Sequence, residues 1–257
     1  MPSRADEAFV LTRYPYRERD LVVVLLTRGA GQARLLARRA RGVRAPLAAA
    51  LEPLTLVRVS YFEKPQRELG NLDEASVVRS AFPLAAFPAR WAAGQVVAEL
   101  ALTFCPPGQR AEPAFRLVDH CIERLLAGGD PLTVAHYAEL WFVKLAGVFP
   151  EPERCGFCGE GLPAGSRWFD PSEGTFACAV HRPRRGALRL GEAGAEWLRR
   201  AVRLPVEAIE TAAPPDAVAF LDAARRRFTE RDLLSWRYLT HVSGSGVRGP
   251  GSGKNET

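Results

Sequence analysis

The sequence predicts an α+β multidomain chain: an N-terminal five-stranded OB-type β-barrel, then an α-helical domain that carries a Cys/His knuckle. Three observations predict it. Residues 7–80 divide into five short apolar or alternating runs separated by turn residues. Beyond Pro83 the apolar spacing becomes helical. Residues 155–181 then read Cys-x-x-Cys, nineteen residues, Cys-x-x-His. The expected divisions are a barrel over 1–80 and a helical domain over 81–242 with the knuckle inserted at 154–182. A Gly/Ser-rich tail over 243–257 is expected to be disordered.

The first strand is "EAFVLTRY", residues 7–14. "DLVVVLLTRGAGQARLLARRARG" holds two apolar runs joined by the glycine-rich turn Gly29–Gly31, a hairpin signal. "LEPLTLVRVSYFE" alternates from Leu54 to Tyr61, and "RELGNLDEASVVRS" supplies a fifth strand. Five short strands in so few residues favour a small closed barrel, because closure removes exposed edges. "LAAFPARWAAGQVVAELALTFC" is a helix stopped by Pro106 and Pro107. "EPAFRLVDHCIERLLAGG" and "DPLTVAHYAELWFVKLAGVF" each open on an acidic residue before proline and close near Gly128 and Gly147. "GEAGAEWLRRAVRL" and "PPDAVAFLDAARRRFTERDLLSWRYLTH" read as returning helices. "SRWFD" and "GTFAC" read as a hairpin that carries the second half of the knuckle.

Cys155, Cys158, Cys178 and His181 have the spacing of a structural Zn2+ site holding one ion. A redox pair would want a thioredoxin-like βαβ context, and a catalytic zinc keeps one position open for water. A zinc deaminase would need His-x-Glu, which this chain lacks. A bound structural zinc contributes on the order of 10–16 kcal/mol to forming such a loop. Cys105 and Cys121 sit on apolar helix faces and read as small buried hydrophobes.

The formal net charge is +6, and only Lys64, Lys144 and Lys254 among the 35 basic residues are lysine. Codon bias accounts for the arginine-to-lysine ratio; the net charge itself points to anionic partners. No acidic residue lies between Asp20 and Glu52, where Arg28, Arg34, Arg38, Arg39, Arg41 and Arg44 fall. On a small barrel such a run makes a positive groove that takes phosphates with little sequence reading. A merely solvated face is the competing explanation. Tyr14, Tyr16, Tyr61 and Phe62 are candidate base-stacking platforms, with core packing as their alternative. Further basic sets, Arg182, Arg184, Arg185 and Arg189, then Arg225, Arg226 and Arg227, can extend a DNA path or meet an acidic partner. "MPSRADEAF" has no apolar core, and the longest strongly apolar run is "LVVVLL", so neither a signal peptide nor a membrane helix is expected. A cytoplasmic, nucleoid-associated address follows.

The ordered combination resembles the bacterial RecO family of DNA repair and recombination proteins. Three stretches carry the resemblance. In "FVLTRYPYRERDLVVVLLTRGAGQARLLARRARG" a Y-x-E-x-D stretch, Tyr16 to Asp20, leads into the apolar strand and a G-x-x-R turn, Gly31 to Arg34. "ALEPLTLVRVSYF" is similar to the family's L-x-P-x-x-x-L strand, and "YAELWFVKLAGVFPEPERCGFCG" to its helix before the first Cys pair. The likeness runs over roughly residues 7 to 240. Where this chain has His181 the family often has Cys, so a Cys3His shell is expected. The resemblance implies a binding protein and not an enzyme: it binds single- and double-stranded DNA and anneals complementary strands. With RecR, and RecF in some pathways, it helps place RecA on DNA coated by single-strand-binding protein. It implies a DNA surface at Arg34, Arg38, Arg39, Arg41 and Arg44. Two other classes compete. One is an adaptor whose helical domain grips acidic tails; the other is a zinc-dependent hydrolase or nuclease, disfavoured by four ligands closing the shell.

Overall fold

The computed structural model describes residues 3–42, 47–63, 69–163, 167–183, 185–229 and 232–244. Strands β1 (Arg4–Pro15), β2 (Leu21–Thr27), β3 (Gly31–Ala37), β4 (Leu56–Phe62) and β5 (Gly70–Arg79) form a closed barrel in the order β1-β2-β3-β5-β4. β1 pairs with β4 through its first half and with β2 through its second, and a register shift between Val10 and Thr12 lets it bend from one to the other. A short parallel pairing, Leu35 with Gly70 to Ala37 with Leu72, closes the ring. Gly31 starts β3 at φ +76°, where a Cβ would lie 1.8 Å from the carbonyl oxygen of Gln109. Only glycine fits that approach of the hairpin to the helical part.

The unbroken apolar run of β2 follows from burial on both faces. Leu21, Val23 and Leu25 fill the barrel with Ala8, Val10, Leu35, Val57, Val59 and Tyr61. Leu26 looks the other way and joins Phe9, Leu11, Leu54 and Leu56 in the helical core. The Phe9 ring lies 5.1 Å from that of Phe115. Arg79 crosses over Phe9 and pairs with Asp119 and Glu123, so the seam combines apolar contact with an ion-pair clasp.

A 3-10 turn (Phe82–Ala86) leads into α1 (Pro88–Phe104), α2 (Glu112–Leu126) and α3 (Pro131–Leu145). α1 runs through the centre: Ala92, Ala93, Gly94, Val96, Val97 and Ala101 are buried, and its small side chains let α3 and α6 (Leu234–Gly244) approach closely. Asp130 caps α3, its Oδ1 accepting from the Thr133 N–H at 2.8 Å. The other acidic-proline start differs: Ala111 precedes α2 without a side-chain cap, and Glu112 is already helical. Glu99 on α1 caps α6, accepting from the N–H of Leu234 at 3.1 Å and of Ser235 at 2.9 Å.

The remaining elements are β6 (Arg167–Asp170), β7 (Thr175–Ala177), β8 (Leu188–Leu190), α4 (Glu192–Arg203), a 3-10 turn (Val206–Ala208) and α5 (Pro215–Thr229). The expected hairpin is β6–β7, and β8 adds a third strand in the order β7-β6-β8. Among the described residues, no helix is long and apolar enough to cross a membrane.

The basic set on α5 is engaged within the chain, a use that the sequence does not reveal. Arg225 is buried and its Nε donates to Glu139 Oε1 on α3 at 2.7 Å; it also pairs with Asp222. Arg226 pairs with Asp222 and Asp232, and Arg227 Nη1 donates to the backbone carbonyls of Pro171 and Ser172. Burial pushes the Glu139 carboxyl up, to about 7, against the pull of Arg225. Removing one member therefore strands the other in an apolar site. Arg225→Met is expected to lower the unfolding free energy by about 3–5 kcal/mol in a denaturant melt, and Glu139→Leu/Arg225→Met to recover most of that loss.

Candidate nucleic-acid interface and metal centre

The metal centre grows from two backbone turns. After α3, the chain reverses so that Cys155 N–H donates to the Glu160 carbonyl and Gly159 N–H to the Cys155 carbonyl. Gly156 lies against Thr175, where a Cβ would stand 2.0 Å from Thr175 Oγ1, and its N–H donates to the Phe176 carbonyl. Glycine here docks the first ligand pair onto β7, which delivers Cys178 and His181 from its end. The four ligand atoms lie within 4.8 Å of one another. Cys178 Sγ is 3.2 Å and Cys155 Sγ 3.9 Å from His181 Nδ1. A tetrahedral ion with thiolate and imidazole ligands spaces their atoms about 3.5–3.8 Å apart. The group is therefore arranged as a site that can hold a metal ion.

Local dipoles prepare the thiols. At Cys155 burial acts upward, but N–H groups of Cys158, Cys178 and Phe157 outweigh it and hold the thiol below its ordinary value. Cys178 is lowered chiefly by the His181 N–H. At Cys158 the Glu160 N–H pulls down, while burial and the neighbouring sulfurs push the thiol up. That division is what three crowded sulfurs do without a cation, and a divalent ion removes the conflict. The Phe157 ring stacks on His181 with centroids 5.7 Å apart.

The knuckle has more core beneath it than its sequence shows. Phe169 and Phe176 are buried, and their rings lie 4.9 and 5.1 Å from Phe220 of α5. The base of the hairpin belongs to the helical core.

On the barrel, Arg34 points outward from β3 and donates to the Tyr14 hydroxyl at 2.5 Å. Arg38 and Arg39 occupy the turn after β3, and Arg41 follows, all exposed. Two backbone bonds tie that turn to the β1–β2 turn: Arg39 N–H to Asp20 Oδ1 at 2.9 Å, and Arg41 N–H to the Arg19 carbonyl at 3.0 Å. A cleft of about 350 Å³ opens between them, lined by Arg13, Tyr14, Pro15, Arg41 and Gly42 among others. Arg44 lies outside the described residues, as does Arg184.

The barrel arginines divide in two. Arg4, Arg13, Arg28 and Arg58 pair with Glu63, Glu52, Glu7 and Glu7. Among the described residues, no carboxylate lies within ion-pair distance of Arg34, Arg38, Arg39 or Arg41. The geometry adds Arg17 and Arg19 to this end of the barrel, both exposed; in the sequence the adjacent Glu18 and Asp20 hid them. Of the aromatic candidates, Tyr16 is exposed beneath the Arg17 guanidinium and Tyr14 is half-buried against Arg34. Tyr61 is fully buried in the barrel core and is no stacking platform, and Phe62 is half-buried.

The chain thus joins a closed five-stranded barrel to a helical body with a Cys3His knuckle and an arginine-rich barrel end. Comparison with known proteins gives the family. Residues 1–81 match the family described as "Recombination protein O N terminal", and residues 88–237 match "Recombination protein O C terminal". The chain is 38% identical over 181 residues to the DNA repair protein RecO of Koribacter versatilis, which covers 68% of this chain and 71% of the relative. It is 30% identical over 240 residues to that of Anaeromyxobacter sp. strain Fw109-5, covering 91% and 94%. For Geobacter metallireducens the figures are 28% over 252 residues, 94% and 99%. The chain belongs to the RecO family, and its role is in DNA repair and recombination.

Cys158→Ser and Cys178→Ser are each expected to abolish stoichiometric metal in elemental analysis of the purified protein. The helical circular dichroism should persist, because Phe169, Phe176 and Phe220 anchor the hairpin base independently.

Proposed function

We propose that the chain is a non-enzymatic mediator that binds single- and double-stranded DNA through the barrel and anneals complementary strands. Acting with RecR, and with RecF in some pathways, it helps load RecA onto DNA coated by single-strand-binding protein. In this scheme residues 1–80 form the DNA-binding module and 81–242 the body that meets protein partners. The observation that carries it is the contrast on the barrel: Arg34, Arg38, Arg39 and Arg41 lack carboxylate partners among the described residues, while four other barrel arginines have them. A guanidinium free of a carboxylate neutralises a phosphate and releases cations condensed on the nucleic acid, so binding is nonspecific in sequence and steep in salt. Two strands repel along their phosphates; holding both on one cationic body lowers that repulsion and raises their local concentration. Annealing then needs no catalytic group.

We assign the metal as one structural Zn2+. Three thiolates and an imidazole are soft and borderline donors that suit zinc over the hard cations, and four ligands close a tetrahedral shell. Its place is to order the tip that carries Cys155, Cys158, Cys178 and His181.

A specific feature supports the adaptor role as a second activity. A cleft of about 490 Å³ between α3, α5 and α6 is lined by Leu132, Val218, Leu233 and Trp236, with Arg226 and Arg237 at its edge. Trp236 Nε1 is buried with no partner among the described residues. Acidic tails would compete there with Asp222 and Asp232, which already hold Arg226 and Arg237. Such a site favours weak, salt-sensitive capture of a tail with an apolar anchor.

Arg39→Glu/Arg41→Glu is expected to abolish single-strand binding at moderate salt while leaving the melting profile unchanged. Each lost phosphate contact should flatten the log–log salt dependence by about 0.7 on single strands. Full binding by the double variant would place the DNA surface elsewhere.

A further inference from the structure

Annealing needs two strands on one protein, and the barrel end accounts for one. A second cationic surface lies on the outer side of the knuckle. From Phe176 to Gly191 there is no acidic residue, and Arg182, Arg184, Arg185 and Arg189 fall within that interval. It repeats the acid-free pattern of the barrel segment in a different part of the fold. Trp168 on β6 organises it: the Arg182 guanidinium sits 4.4 Å from the centre of its ring, and Arg189, its register partner on β8, stands 6.0 Å from it. Arg185 is exposed between the knuckle and β8. Beside them the tip presents the half-exposed Phe157, and Val180 is 87% exposed.

A guanidinium stacked on an indole is held in place by its flat face, while its N–H donors remain in the plane, directed outward. Less rotamer freedom is lost when such a group meets a phosphate than when a loose side chain does. Such planar donors match the paired oxygens of a phosphate, so the surface fits a nucleic-acid backbone.

We propose that Arg182, Arg185 and the Arg182-bearing ring of Trp168 form a second nucleic-acid site that takes the backbone of the second strand during annealing. The proposal rests on the barrel being the site of the first strand. The two sites together hold two like-charged polymers on one body.

The test uses the full-length protein with Arg182→Glu/Arg185→Glu. Four properties are read: metal content, affinity for one labelled oligothymidine, energy transfer between two non-complementary labelled strands on one protein, and annealing rate. Metal content is expected to match the unmodified protein, and single-oligonucleotide affinity to stay within about twofold. Energy transfer should vanish and annealing should slow by at least about tenfold. Arg182→Lys/Arg185→Lys should restore most of the annealing. Because Arg182 adjoins the ligand His181, Arg185→Glu alone serves as the variant that spares the metal site, with an intermediate loss of annealing expected. Unchanged energy transfer and annealing in both glutamate variants would overturn the proposal. So would collapse of single-oligonucleotide affinity with the metal retained, which would mean one composite site. Uptake of an acidic peptide by this face, with no second strand bound, would overturn it in favour of a protein partner. The barrel assignment fails separately, if Arg39→Glu/Arg41→Glu leaves single-oligonucleotide binding intact.

Discussion

Burial of β1 and β2 on both faces is the constraint from which the rest of the architecture follows. A five-stranded barrel has one inner face to fill, and Val10, Val23, Leu25 and Tyr61 fill it. Phe9, Leu11 and Leu26 project outward and would face water if the barrel stood alone. Packing the helical body against them removes that apolar surface, at roughly 25 cal/mol for each Å² covered. Once that side is committed, polar groups are confined to the remaining circumference and ends. The arginines after β3 are therefore displayed on a rigid, curved platform whose opposite side is anchored.

Guanidinium pairing then sorts the arginines by role. Inside the body, Arg225 must have Glu139 and Asp222, because a lone buried cation is not tolerated. At the seam, Arg79 is bound by Asp119 and Glu123 and works as a clasp. At the barrel end Arg17, Arg19, Arg34, Arg38, Arg39 and Arg41 are exposed, with Glu18 and Asp20 in the β1–β2 turn and Glu52, the partner of Arg13, lining the same cleft as Arg41. Asp20 has a backbone task, accepting from the Arg39 N–H, so it shapes the turn more than it neutralises the side chains. The same residue type is thus buried with its acids, clasped at the seam, or exposed with no ion-pair partner among the described residues.

Much of this was legible from residue pattern, and the failures share a cause. The β2–β3 hairpin and the knuckle announce themselves locally, through Gly29–Gly31 and through ligand spacing, so the closed barrel and the Cys3His group were foreseeable. What depends on contacts far apart in the chain was not. The run Arg225–Arg227 reads as a surface for DNA or an acidic partner because its own partners Glu139 and Pro171 lie in other elements. Tyr61 alternates correctly on β4, but which parity faces inward is decided by barrel closure. β8 is three residues long, too short for periodicity, and exists because β6 has a free edge to pair. Arg17 and Arg19 join the cationic end only because two hydrogen bonds bring the β1–β2 turn to the end of β3.

Local pairing, more than the total of +6, decides what a phosphate meets. At physiological ionic strength the screening length is about 8 Å, so a nucleic-acid backbone senses only charges within a few side chains of its path. Paired arginines such as Arg13 and Arg58 add to the total but little to that field, since a carboxylate stands within 2.7 and 3.7 Å of each. A surface without internal acids keeps its full attraction inside the screening length. Two arginine-rich acid-free intervals, around Arg38 and around Arg185, are separated in sequence by α1, α2 and α3. Elsewhere, Asp119, Glu139, Asp222 and Asp232 hold arginines of the body. Acids hold Arg79 and Arg225 within the fold, whereas Arg34, Arg38, Arg39 and Arg41 have no carboxylate within ion-pair distance among the described residues, and that contrast shapes the local field more than the total charge does.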